Sequence, residues 1–102
     1  MGLLKRAYEF ATGAEILNIV LNKIRKGNSG QSIIAFMRRK QYPDLKIKKI
    51  FQKAIDTYYV QELEVIETSL AGAKYEGKRI RQKRRLEKRK EALEIEMSAN
   101  LR

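Results

Sequence analysis

The chain has 102 residues and a formal net charge of +11, from 23 Lys and Arg against 12 Asp and Glu. At about 100 residues it has room for one domain with a modest core, and with no Cys, His or Trp it offers no thiolate nucleophile, zinc finger or imidazole base. With no disulfide frame the expected setting is a reducing cytoplasm; no stretch nears the roughly 20 apolar residues of a membrane span, no signal peptide is visible, and no membrane partner is expected.

The first element is written in the spacing Leu3, Ala7, Phe10, Ala14, Leu17, Leu21, Ile24, whose alternating steps of four and three put all seven on one helical face. Thr12-Gly13-Ala14-Glu15 inside it is a capping box, with Thr12 and Glu15 each serving the other's amide. The pattern predicts a short helix near 2–11 and a second near 13–26, or the two fused into one bent helix. Gly27-Asn28-Ser29-Gly30 is a stop. Ser32 is the expected cap of a third helix, Ile33 to about Lys40, with Ile33, Ile34, Phe36 and Met37 as its apolar residues. Pro43 closes it and opens the next.

From Asp44 to Leu70 the residues Ile47, Ile50, Phe51, Ala54, Ile55, Tyr58, Tyr59, Leu63, Ile66 and Leu70 recur at helical steps. A helix of that length spans about 40 Å and is expected to project or to pair with a partner. Ala71-Gly72-Ala73 and Gly77 mark a loop. A last helix, Lys78 to about Ser98, carries a narrow stripe of Ile80, Leu86, Leu93 and Met97 suited to packing back on the long one. Nothing alternates with period two, so the expected fold is all-α. Helix-turn-helix-like helices over 1–43 precede a long antiparallel helical hairpin over 44–102.

The charge is distributed in blocks. Residues 38–53 carry seven basic residues against Asp44, a net +6; residues 54–70 carry Asp56, Glu62, Glu64 and Glu67 with no base, a net −4; residues 78–90 carry nine against Glu87, a net +8. Arg81–Arg85, Arg84–Lys88 and Arg85–Arg89 are like-charged pairs four apart, which repel on an isolated helix. A solvated basic face, or pairing of the +8 block with the −4 stretch, accounts for part of this. Four carboxylates cannot neutralise nine cations, so the surplus points to an external polyanion.

Arg38, Arg39 and Lys40 end a short helix that follows a tight turn and another helix, the layout of a DNA-binding helix-turn-helix. Gln31 and Ser32 at its start are within reach of base or phosphate in that arrangement. The alternative is a solvent-facing arginine cluster over core residues. The carboxylates Glu62, Glu64 and Glu67 have no His, Cys or Asp-rich loop beside them, and the chain has no P-loop, dinucleotide-binding glycine pattern or nucleophile elbow. Neither enzyme activity nor a metal or cofactor is expected.

Residues 32–45, Ser32 through Arg38-Arg39-Lys40-Gln41-Tyr42-Pro43-Asp44-Leu45, followed by Ile50-Phe51-Gln52-Lys53-Ala54 and Glu62-Leu63-Glu64-Val65-Ile66, resemble small terminase subunits of tailed double-stranded DNA phages. Tyr42-Pro43-Asp44-Leu45 matches that family's turn after the DNA-binding helix, Ala54 its long helix, and Arg79 to Arg89 its returning basic helix. Phe36-Met37-Arg38-Arg39 stands where the family has an aromatic–x–Trp–Leu signature. The resemblance implies a DNA-recognition subunit of a genome-packaging motor in the host cytoplasm. Such a subunit assembles as a homo-oligomeric ring and works with a separate ATPase/nuclease subunit.

The expected nucleic-acid contacts, with duplex DNA the favoured ligand, are Arg38, Arg39, Lys40, Lys46, Lys48, Lys49, Lys78, Arg79, Arg81, Arg84, Arg85, Lys88 and Arg89. Ile50, Phe51, Ile55, Tyr58, Tyr59, Leu63 and Ile66 are the expected oligomer interface. The competing function is a helical adaptor whose basic helix docks on an acidic protein.

Overall fold

Each helix of this protein is amphipathic, and none can bury its apolar side without the others. The computed structural model describes residues 13–101. The expected helix near 2–11 and the Thr12 half of the capping box lie outside the described residues. Within them the order is α1 (Gly13–Arg25), α2 (Gly30–Arg39), α3 (Asp44–Ser69) and α4 (Glu76–Asn100), with a 3-10 turn at Ala73–Tyr75 and no strand among the described residues. The fold is all-α.

The turns explain the breaks. Gly27 has a φ of +87°, and the Asn28 and Gly27 amides donate to the carbonyls of Lys23 and Ile24 at 3.1 Å each. That is the double bond of a Schellman ending, and it needs the left-handed residue that glycine supplies at least cost. The same device recurs after α2, where Gln41 takes φ +66° and the Tyr42 amide reaches back to the Met37 carbonyl at 3.2 Å. Pro43 then stands at the N-cap of α3 with φ −67° and bonds the Ile47 amide through its carbonyl at 2.9 Å.

The cap of α2 is Ser29, not Ser32: the Ser29 hydroxyl accepts from the Ser32 amide at 3.1 Å, and the helix starts three residues earlier than the Ile33 expected from its apolar pattern. Gly77 lies inside α4 rather than in the loop before it.

Ile16, Val20, Leu21 and Ile24 of α1, Ile33, Ile34 and Met37 of α2, Ile47, Phe51, Ala54 and Ile55 of α3, and Leu93, Met97 and Leu101 at the far end form one buried cluster. On α1 the buried face is turned from the expected stripe: Ile16 and Val20 go inside while Leu17 sits at the margin. This cluster draws on all four helices, on both sides of the expected boundary between 1–43 and 44–102. The apolar sides of α1 and α2 are covered by α3 and the end of α4, so among the described residues these helices share one core with the hairpin.

The paired side chains Gln52–Glu94 and Glu67–Lys83 show α3 and α4 running antiparallel along their length. Beyond Tyr58 the pair extends past α1 and α2 as a two-helix arm, held by a smaller cluster of Ile66, Leu70 and Leu86. The molecule is accordingly elongated, 58 × 29 × 17 Å, with a radius of gyration of 16.2 Å, against about 13 Å for a compact chain of this size.

Candidate nucleic-acid interface

Three of the arginines expected to contact DNA are bonded to backbone carbonyls at helix ends. Arg89 donates to the carbonyls of Ile24 and Asn28 at 3.2 and 2.6 Å, closing the C-terminus of α1. Arg79 donates to Leu70 and Gly72 at 2.7 and 3.3 Å, closing α3. Arg38 donates to the Asn100 carbonyl at 2.8 Å, closing α4, and forms a two-pronged pair with Asp44 at 3.2 Å on each arm. The last carbonyls of a helix lack intrahelical partners and carry the negative end of its dipole. A guanidinium brought in from another part of the chain satisfies both needs. Periodicity could not expose this, because each partner lies in a different element or across a turn.

The start of α2 is likewise occupied. The Glu96 carboxylate of α4 accepts from the Gln31 amide at 2.7 Å, and a Cβ on Gly30 would meet the Glu96 Cβ at 2.9 Å. The Gln31 backbone amide is therefore already occupied by a carboxylate, while the Gln31 and Ser32 residues remain exposed.

The remaining cations form two exposed groups. On α4, Lys78, Arg81, Arg84, Arg85 and Lys88 are exposed and make no hydrogen bond or ion pair among the described residues. At about 100° per residue they fall within a sector of about 120° centred about 140° from the buried Leu86, with Lys78 and Arg85 at its near edge. Lys83 and Lys90, on the flanks of that helix, are drawn inward: Lys83 pairs with Glu67 at 2.7 Å, and Lys90 pairs with Glu94 at 3.4 Å and lies over the Tyr59 ring. The Lys83 hydrogen bond holds the Glu67 carboxyl below its ordinary pKa, with the lysine's charge adding to the effect.

The second group lies at the α2–α3 corner. Arg39, Lys40, Lys46, Lys48, Lys49 and Lys53 are exposed; Lys40 lies over Phe36 and Lys46 over Tyr42, with 5.8 and 5.5 Å to the ring centres. Lys53, four residues after Lys49 and seven after Lys46, shares their side of α3 and belongs with them.

The expected oligomer interface is largely internal. Phe51, Ile55 and Ile66 face the chain's own core, buried among residues of α1, α2 and α4. Ile50, Tyr58, Tyr59 and Leu63 are half-buried at its edges. Along α3 the other helices cover Ile47, Phe51, Ile55 and Ile66, while Leu45, Val60 and Val65 remain exposed.

Tyr58 sits where the end of α1 meets the arm, in an open groove with Glu62, Val65, Gln82, Arg85 and Arg89. Burial pushes its hydroxyl pKa up, and the Glu62 charge adds to this against Arg89 and Arg25.

Among the described residues no helix is long and apolar enough to cross a membrane, and none of these residues forms a group of three or more His, Cys, Asp or Glu close enough to hold a metal ion. Among known proteins, the chain matches no family model, no curated sequence and no solved structure. The class that fold and surface define is an all-α protein with a two-helix basic arm.

Proposed function

We propose that the chain is a non-enzymatic nucleic-acid-binding protein that grips duplex backbone by charge. The observation that supports this reading best is the unpaired stripe Lys78, Arg81, Arg84, Arg85 and Lys88 on the outer side of the arm. It contains five like-charged pairs three or four residues apart, each unfavourable by about 0.2–0.5 kcal/mol, roughly 1–2.5 kcal/mol in all. A polyanion laid along the stripe reverses that term and releases its own counterions.

Duplex is favoured over single strand because residues 78–90 contain no aromatic side chain, and single-strand platforms rely on aromatic stacking. The narrower form of the reading, a phage packaging subunit in a homo-oligomeric ring with an ATPase/nuclease partner, rests on the resemblance of residues 32–90. The rival, an adaptor for an acidic protein, uses the same stripe. Titration of a fluorescent duplex at two salt concentrations decides between them: the affinity is expected to fall steeply with salt, and undetectable binding at low salt overturns the proposal. Native mass tests the ring, since a 12 kDa monomer at micromolar concentration excludes it.

A further inference from the structure

Most of the exposed cations of α2, α3 and α4 fall into two groups, on different helices and with carboxylates between them. On α3, Lys46, Lys49 and Lys53 lie within about 60° of one another on the side opposite Phe51. Farther along that same side stand Asp56, Glu64 and Glu67, also exposed, so the face changes sign part-way up the helix. The α4 group is on another helix and projects from its side away from Leu86. The Glu67–Lys83 pair sets its level on α3, about 27 Å from Lys49 at 1.5 Å per residue.

Between centres that separation is about three screening lengths of about 8 Å at physiological salt; Lys53 and Lys88, the nearest members, are about 14 Å apart along the axis, so phosphates bound at one group only partly lower the potential at the other. A duplex run along α3 from the first group would carry its phosphates over the three carboxylates.

Resting on the nucleic-acid reading above, we infer that one chain holds two duplex segments at once. One sits at Lys46, Lys49 and Lys53, the other at the α4 stripe, so the protein bridges nucleic acid. The acidic side of α3 between them keeps the two seats separate. Each is a backbone contact without base readout, so the bridge joins duplexes irrespective of sequence.

The test immobilises a short biotinylated duplex on beads and measures recruitment of a second, fluorescent duplex by the full chain. Wild type is expected to recruit it. K46Q/K49Q/K53Q and R81Q/R84Q/R85Q are each expected to stay on the immobilised duplex through the untouched group, which also reports that the variant is folded. Each should recruit the second duplex at least about tenfold less, since three phosphate contacts are gone. Retention of wild type on the beads without recruitment overturns the bridge and leaves the nucleic-acid reading standing. Undiminished recruitment by both variants also overturns it, because a multimer with one seat per chain then does the bridging. No retention of any form at low salt removes the nucleic-acid reading itself, and retention on immobilised polyglutamate but not on duplex moves both groups to an acidic protein.

Discussion

Neutralising the arm stripe should weaken binding and strengthen the fold together. The perturbation is R81Q/R84Q/R85Q, read in a chain already carrying K46Q/K49Q/K53Q so that one seat is measured. Each phosphate contact contributes about 0.9 to the slope of log affinity against log salt. Five contacts give a slope near −4.5, and removing three brings it near −1.8. At about 0.1 M salt the lost 2.7 decades amount to roughly 500-fold, or about 3.7 kcal/mol.

The same variant removes all five like-charged pairs of the stripe and gives up one favourable neighbour, Arg84–Glu87, for a net gain of about 1–2 kcal/mol in urea unfolding. Anisotropy titrations over several salt concentrations and equilibrium denaturation supply both numbers. An affinity within threefold of the parent with an unchanged slope refutes the phosphate assignment. A loss of stability refutes the charge-repulsion account.

Adjacent residues should separate structural from surface cations: Arg89→Ala leaves the Ile24 and Asn28 carbonyls without their donor and is expected to cost about 2 kcal/mol in urea unfolding, while the exposed Lys88→Ala stays within about 0.5 kcal/mol. Ser29→Ala removes the α2 cap and should cost about 1 kcal/mol, whereas Ser32→Ala, whose amide rather than hydroxyl makes the capping bond, should be near neutral; equal effects would contradict the assigned cap. Tyr58 titrates above its ordinary value of 10.0, so its contribution is complete below pH 10 and is lost as pH rises through the folded-state value. Tyr58→Phe should therefore lose less stability than wild type between neutral pH and the alkaline range above 10, and matching pH profiles would remove Tyr58 from that transition.

The helices were legible because their apolar residues recur every three or four positions, and the long α3 from Asp44 to Ser69 shows this most plainly. Boundaries depended on turn chemistry: Gly27 and Pro43 were readable, while the choice of Ser29 over Ser32 turned on which hydroxyl reached a free amide. Ile80 illustrates the limit of periodicity. It follows the stripe spacing of α4 yet remains 43% exposed, because only Leu86, Leu93 and Met97 meet the other helices.

Sequence alone determined an all-α chain with two positive blocks flanking an acidic, apolar helix, since helical period and charge order are properties of the covalent chain. Tertiary structure decided what each cation does. Arg38, Arg79 and Arg89 meet helix-end carbonyls, whereas Lys78, Arg81, Arg84, Arg85 and Lys88 meet solvent. The buried stripe of α3 is likewise covered by α1, α2 and α4 of the same chain. A residue's charge is fixed by its type, but the group that charge faces is set by how the helices pack.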